Sequence, residues 1–302
     1  MFHIAAFYRF APLDDFEALR GPLRSMCEAN GVLGTILLAP EGVNGTIAGS
    51  NRQGVDAVLD HLRSDPRLSG IEAKYATADE PPFLRLKVRL KKEIVTLGVG
   101  PVDTVARTGT KVSPDEWNAL IARKDVVLID TRNDYEYAIG TFEGAINPMT
   151  DSFGDFPSWI DANTDGDRPT IAMFCTGGIR CEKASAWLTG RGFDDVYQLD
   201  GGILRYLETI PAEESTWEGE CYVFDRRVTV GHGLEVGDTE VCVNCNRVVP
   251  PVERSLPGYE KGVTCPACVD TITGDRRSRF RERQHQITLA AERGVVHLGR
   301  SG

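Results

Sequence analysis

Cys175 stands in the run Phe174-Cys-Thr-Gly-Gly-Ile-Arg180, between an apolar stretch, Thr170–Phe174, and a helix candidate over Cys181–Thr189. A thiol at the carboxyl end of a parallel-type strand sits where open α/β sheets gather their ligands. Thr176, Gly177, Gly178 and Ile179 supply successive backbone N–H groups, and two glycines let these converge without Cβ clashes. Such a loop, together with the N-terminus of the next helix, forms an anion cradle. The same field favours thiolate over thiol, which makes Cys175 a candidate nucleophile for sulfur or persulfide chemistry. Arg180 closes the loop, where an ion pair would brace it. Cys181 follows directly and has two readings. It could resolve a persulfide or sulfenate on Cys175 through a disulfide, or it could be a first-turn helix residue facing the core.

The surroundings of this loop resemble a rhodanese domain. The first half of the resemblance is Asp130-Thr-Arg132-Asn-Asp-Tyr-Glu136 followed by Gly140-Thr-Phe-Glu-Gly144-Ala-Ile-Asn147. It continues through Cys175–Arg180 and ends at Gly192-Phe193, Val196 and Leu199-Asp-Gly-Gly-Ile203. The resemblance implies that Cys175 takes sulfane sulfur as a persulfide and that Asp130 and Arg132 are mainly structural. Thr141 stands where rhodaneses usually carry His, a departure expected to change contacts around the loop and to leave the nucleophile intact. Related phosphatases use a loop one residue longer, because a phosphoryl group needs more room than one sulfur atom. The loop here, six residues from Cys175 to Arg180, therefore weighs against phosphate esters.

Four of the eight cysteines form two Cys-x-x-Cys pairs, Cys242/Cys245 and Cys265/Cys268. Four thiolates at this spacing suit a tetrahedral structural zinc site, with no position left open for substrate. The alternative is a set of reduced or paired cysteines packing an irregular module. No GxGxxG fingerprint or Walker loop is present, so no organic cofactor is expected.

Three segments must position these groups. Residues 1–97 follow a βαββαβ order, a ferredoxin-like α+β unit, with a last strand expected at Phe83–Val88. Residues 98–112 are rich in Gly, Pro, Thr and Val and suggest a linker. Residues 113–212 alternate strands with helices, which implies an α/β unit around a parallel sheet. Ser113-Pro114-Asp-Glu116 has the chemistry of a helix start: a cap residue, Pro at the first position and Glu at the third. Residues 213–302 are expected to form a small Cys-rich module with an Arg-rich segment.

The net charge of −10 leaves no basic coat for duplex DNA. Charge is unevenly spread, however. Arg85, Lys87 and Arg89 cluster in the basic stretch Arg85–Lys92, and Arg276, Arg277, Arg279, Arg281 and Arg283 cluster near the C-terminus. Either patch suits a polyanion, and either also suits an ordinary solvated surface. Glu41 and Asn44, in the turn Ala39-Pro-Glu-Gly-Val-Asn-Gly-Thr46, are polar candidates for ligand contact. No run of eighteen apolar residues suggests a membrane span, and no signal peptide is evident, so a cytoplasmic protein is expected.

Over nearly its full length the sequence resembles the bacterial tRNA uridine(34) hydroxylase family, the type that contains a rhodanese domain. The distinctive blocks are Phe7-Tyr-Arg-Phe10, Leu38-Ala-Pro-Glu-Gly-Val-Asn-Gly-Thr-Ile47, Phe174-Cys-Thr-Gly-Gly-Ile-Arg-Cys-Glu-Lys-Ala184, Trp217-Glu-Gly219, Val223-Phe-Asp-Arg-Arg227 and the cysteine pairs. The resemblance implies hydroxylation of the wobble uridine at C5 to 5-hydroxyuridine. Molecular oxygen would be the co-substrate, the tRNA anticodon stem-loop the partner and Cys175 the essential residue. A splayed single-stranded base suits a pocket, and the two basic clusters suit its phosphates. Read from the residues alone, the loop points first to sulfur transfer to tRNA or a small acceptor. A non-catalytic RNA-binding scaffold is a third reading, opposed by the intact Cys175 and Arg180.

Overall fold

The computed structural model describes residues 1–164 and 168–293. Two compact units emerge, 1–235 and a smaller one starting at Val236.

The first unit opens with β1 (Phe2–Phe10), α1 (Phe16–Ala29), β2 (Leu33–Ala39), β3 (Gly42–Gly49), α2 (Arg52–Arg63), β4 (Glu72–Ala78) and β5 (Leu86–Leu90). The sheet order is β4-β1-β3-β2-β5, and the first four strands give the expected ferredoxin-like arrangement. The final strand of that arrangement is β4 rather than the expected Phe83–Val88. Alanines make Glu72-Ala-Lys-Tyr-Ala-Thr-Ala78 a weak strand signal, and antiparallel pairing with β1 decides the matter. The basic strand is instead a fifth, β5, parallel to β2 at the sheet edge. Side chains alternate along a strand. One face of the sheet therefore sends Phe7, Ile36, Val43 and Ile47 into a core with Leu23, Val55 and Leu59 of the helices. The other face is left for the domain that follows.

That domain is built from β6 (Thr110–Val112), α3 (Pro114–Ile121), β7 (Val126–Asp130), α4 (Asp134–Tyr137), β8 (Gly140–Phe142), α5 (Phe156–Thr164), β9 (Thr170–Phe174), α6 (Ile179–Gly190), β10 (Val196–Leu199) and α7 (Gly202–Thr209). Its parallel sheet has the order β6-β10-β9-β7. Thr110–Val112 thus belongs to the sheet and not to the expected linker. Helix α3 starts at Pro114 as its sequence suggests, but the Ser113 hydroxyl donates to the Glu116 carboxylate at 2.8 Å and caps no backbone N–H.

The expected Cys-rich region of 213–302 divides. Strand β11 (Trp217–Gly219) pairs antiparallel with β8, and Trp217 packs edge-on against Phe142 at 5.1 Å. A short hairpin, β12 (Cys221–Tyr222) with β13 (Thr229–Val230), adds Cys221, Val223 and Val230 to the same core. Burial of these side chains draws the segment into the first unit. The second unit holds the hairpin of β14 (Glu240–Val241) and β15 (Val248–Val249), the two cysteine pairs and α8 (Gly274–Glu292). Residues 294–302 of the basic tail lie outside the described residues. No described helix is long and apolar enough to cross a membrane.

Candidate active site

Along β9, Ile171 and Met173 face one side of the sheet, and Cys175 continues that side. Ala172 and Phe174 fill the opposite core. The alternation delivers the Cys175 side chain beneath the N-terminus of α6, where its sulfur accepts the Gly178 N–H at 3.1 Å. Gly178 has φ +99°, a conformation that costs a residue with a Cβ. Gly202 is required by close approach as well: a Cβ there would fall 2.5 Å from the Cys175 carbonyl oxygen. This contact lets the Ile203 and Leu204 N–H groups donate to the carbonyls of Cys175 and Thr176, at 3.0 and 3.1 Å. The N-terminus of α7 thereby holds the loop carbonyls, and the Gly178 amide is left for the sulfur.

Burial alone would oppose ionisation of Cys175. It is outweighed by the neighbouring Cys181 side chain, the charge of Arg180 and the backbone amides of Cys181 and Gly178, and the thiol is drawn down to about 5. Cys181 moves the other way, held well above the ordinary thiol range by burial and by the neighbouring Cys175. The Thr131 hydroxyl lies 3.5 Å from its sulfur. Cys181 is a fully buried first-turn helix residue, and burial beside Cys175 favours its protonated form.

Arg180 makes the expected bracing ion pair. Its two terminal nitrogens bind the buried Glu136 carboxylate at 2.7 and 2.8 Å. Glu136 in turn accepts the Asn133 N–H at the start of α4. Asp130 and Arg132 form a fully buried pair at 2.6 Å, away from the thiol. Thr141 donates to Asp130 at 3.1 Å. This framework fixes the loop without touching the reactive sulfur.

The free face of the ferredoxin-like sheet roofs the loop. A cavity of about 570 Å³ lies between them, within the size range of small-molecule sites. Cys175, Gly177 and Arg180 line one side, and Tyr8, Thr35, Leu37, Thr46 and Lys74 line the other. The half-buried Lys74 ammonium donates to the Gly177 carbonyl. Burial lowers its pKa, an effect opposed by the Cys175 charge. The Tyr8 hydroxyl donates to Glu182 at 2.9 Å. Below, the buried Lys183 ammonium clamps Glu41, Glu93 and the Val95 carbonyl at 2.6–2.9 Å. The Phe224 ring is 58% exposed at the cavity, with the Arg180 guanidinium 5.9 Å from its centre.

The other residues singled out from sequence divide into three groups. Glu41 is taken up by Lys183 and the Ile94 N–H, so it joins the two domains instead of awaiting a ligand. Asn44 lines the cavity while donating to the Ile94 carbonyl at 3.1 Å. Arg85, just before β5, and Lys87 and Arg89 on it are exposed and make no ion pair among the described residues. Lys87 and Arg89 sit opposite Thr35 and Leu37 in the strand register, which places them on the cavity face of the sheet. In the second unit Arg281 is paired with Glu260, Arg277 approaches the same carboxylate, and Arg276 donates to the Asn244 carbonyl. Arg279 and Arg283 are exposed on α8. Lys74, Lys183 and Phe224 were not legible as site residues. Lys183 and Phe224 lie in the blocks Phe174–Ala184 and Val223–Arg227, but their partners, Glu41 and Glu93 for Lys183 and the Arg180 guanidinium for Phe224, are set by packing between distant segments, as is the contact of Lys74 with Gly177.

Fold and loop define a protein with a rhodanese-like domain preceded by an acylphosphatase-like one. The family described as UPF0176 acylphosphatase like domain matches residues 2–94, and the Rhodanese-like domain matches residues 113–209. A protein of Brucella anthropi named tRNA uridine(34) hydroxylase is 52% identical over 300 residues, covering 99% of this chain and 98% of its own. Proteins of the same name from Agrobacterium fabrum and Rhizobium leguminosarum are 54% and 53% identical, covering 99% of this chain and 95% and 96% of theirs. The chain belongs to the tRNA uridine(34) hydroxylase family.

Proposed function

We propose that this enzyme hydroxylates the wobble uridine of tRNA at C5, with molecular oxygen as co-substrate and Cys175 as the reacting group. The observation that carries this reading is the roofed cavity over an acidic thiol. A thiolate at its floor, a sheet face above it and the exposed Phe224 ring suit a flipped-out base better than an open sulfur acceptor site. Uracil presents C6 to a nucleophile. Addition of the Cys175 thiolate there moves an electron pair toward C5, the carbon that then bonds oxygen. One atom of O₂ ends in the C5–OH group. The other leaves as water after taking two electrons and two protons from two free thiols of a soluble reductant, which become a disulfide; loss of the C5 proton then expels the Cys175 thiolate from C6 and restores the C5=C6 double bond. Lys87 and Arg89, on the cavity face of the edge strand, suit the phosphates of an anticodon loop.

The test is nucleoside analysis of tRNA from cells lacking the gene, complemented with wild type or with Cys175→Ser. Loss of 5-hydroxyuridine and its derivatives, restored by wild type alone, is the expected result. Unchanged hydroxylation with loss of 2-thiolated nucleosides would replace this reading with sulfur transfer.

A further inference from the structure

The second unit has little apolar core of its own. Among its described residues the buried cluster consists of Cys242, Val249, Cys265 and Cys268, with Tyr259 packed against it. A segment of this size with so few buried side chains needs a covalent or metal staple to hold one fold. The four cysteine sulfurs of the two pairs are gathered within 4.8 Å of one another. Cys242 and Cys268 are 3.6 Å apart, Cys245 and Cys265 are 3.6 Å apart, and Cys265 and Cys268 are 3.7 Å apart.

These separations discriminate between staples. A disulfide brings two sulfurs to about 2.0 Å and leaves other pairs wherever packing puts them. Four sulfurs each about 2.3 Å from one zinc ion stand about 3.8 Å from each other, the edge of a regular tetrahedron. The three measured edges lie within about 0.2 Å of that value. The backbone is shaped for the same purpose. The Cys242 N–H donates to the Arg247 carbonyl and the Asn246 N–H to the Cys242 carbonyl, both at 2.8 Å, and Asn246 is left-handed at φ +59°. This tight turn brings Cys242 and Cys245 to one side of the β14–β15 hairpin. The second pair closes in a similar turn, with the Cys268 N–H donating to the Cys265 carbonyl at 3.1 Å.

We propose that Cys242, Cys245, Cys265 and Cys268 bind one zinc ion as four thiolates, and that this ion is structural. Four protein ligands complete the tetrahedron, so the ion takes no water and has no part in the chemistry at Cys175. Its effect is on the fold around it. Arg276 of α8 donates to the carbonyl of Asn244, inside the first turn, and Arg281 binds Glu260 next to the second. Metal binding thereby anchors the basic helix to the hairpin, and metal loss releases it.

The test uses the full-length chain, purified reduced and without chelator, and counts metals by mass spectrometry. About one zinc per chain is expected. Titration with a mercurial should release that zinc as four thiols react, and protease should then cut between 236 and 293 while 1–235 stays intact. Cys245→Ser should lose most of the metal, whereas Cys245→His, which keeps a zinc ligand, should retain it. Should the cysteine variants fail to fold, the wild-type count and titration decide alone. Less than one tenth of a zinc per chain with all four thiols freely titratable would overturn the proposal. So would iron in place of zinc, or zinc that survives blocking of these four cysteines.

Discussion

Replacing Cys181 by alanine should make Cys175 a weaker acid. Cys181, the buried neighbour of Cys175, is the foremost of the groups that overcome the cost of burying the Cys175 charge. A hydrogen bond to a charged acceptor contributes about 1.5–3 kcal/mol. One pKa unit corresponds to about 1.4 kcal/mol, so the Cys175 value should rise by about 1–2 units. The assay is alkylation by iodoacetamide as a function of pH, read at the Cys175 peptide by mass spectrometry. Wild type should show a midpoint near about 5, and Cys181→Ala should show one shifted upward by the amount above. Cys181→Ser keeps a hydroxyl donor and should shift less. Two other buried thiols, Cys27 and Cys221, are pushed up to about 11 and about 12, which keeps them protonated through the range scanned. A midpoint that stays put or falls in Cys181→Ala would refute the reasoning. The same shift fixes a stability slope. Between about 5 and the ordinary 9.0, the folded chain has released a proton that the unfolded chain keeps. Stability should rise with pH through that window, and the contribution should vanish as pH falls through about 5. In Cys181→Ala the window should open at a higher pH.

Glu136→Ala leaves the Arg180 guanidinium buried without its partner and should cost about 3–5 kcal/mol. Chemical unfolding followed at the Trp117 and Trp217 core would show it, and a loss below about 1 kcal/mol would mean that Arg180 finds water or another acceptor. The double variant Lys87→Ala/Arg89→Ala should bind tRNA more weakly at low salt. It should also flatten the dependence of log affinity on log salt by about 0.7 for each phosphate that is no longer neutralised. An unchanged slope would remove β5 from the RNA surface.

The Cys175 loop is legible in sequence because its chemistry is local. Strand, thiol, two glycines and helix are consecutive, and each sets its own backbone geometry. The same holds for the cysteine pairs and for the helix start at Ser113, whose signals span only a few residues. The last strand of the first domain is not legible in this way. Glu72–Ala78 has small side chains with little pattern, and it is a strand because β1 offers it a full edge of hydrogen bonds. The segment after the rhodanese domain joins that domain's core for a related reason. Nothing near Trp217 says that its ring completes a core with Phe142 and Phe174, residues distant in the chain.

The sequence by itself determined that Cys175 would be a reactive thiol in a cradle of amides. Tertiary structure alone decided what that thiol faces. Lys74, Tyr8 and the free sheet face come from the other domain, and Lys183 in the helix after the loop binds Glu41 and Glu93 to hold that domain in place. Contacts of this kind depend on burial and charge pairing between segments far apart in sequence. Local residue patterns carry no record of them, although they convert an exposed sulfur loop into an enclosed site.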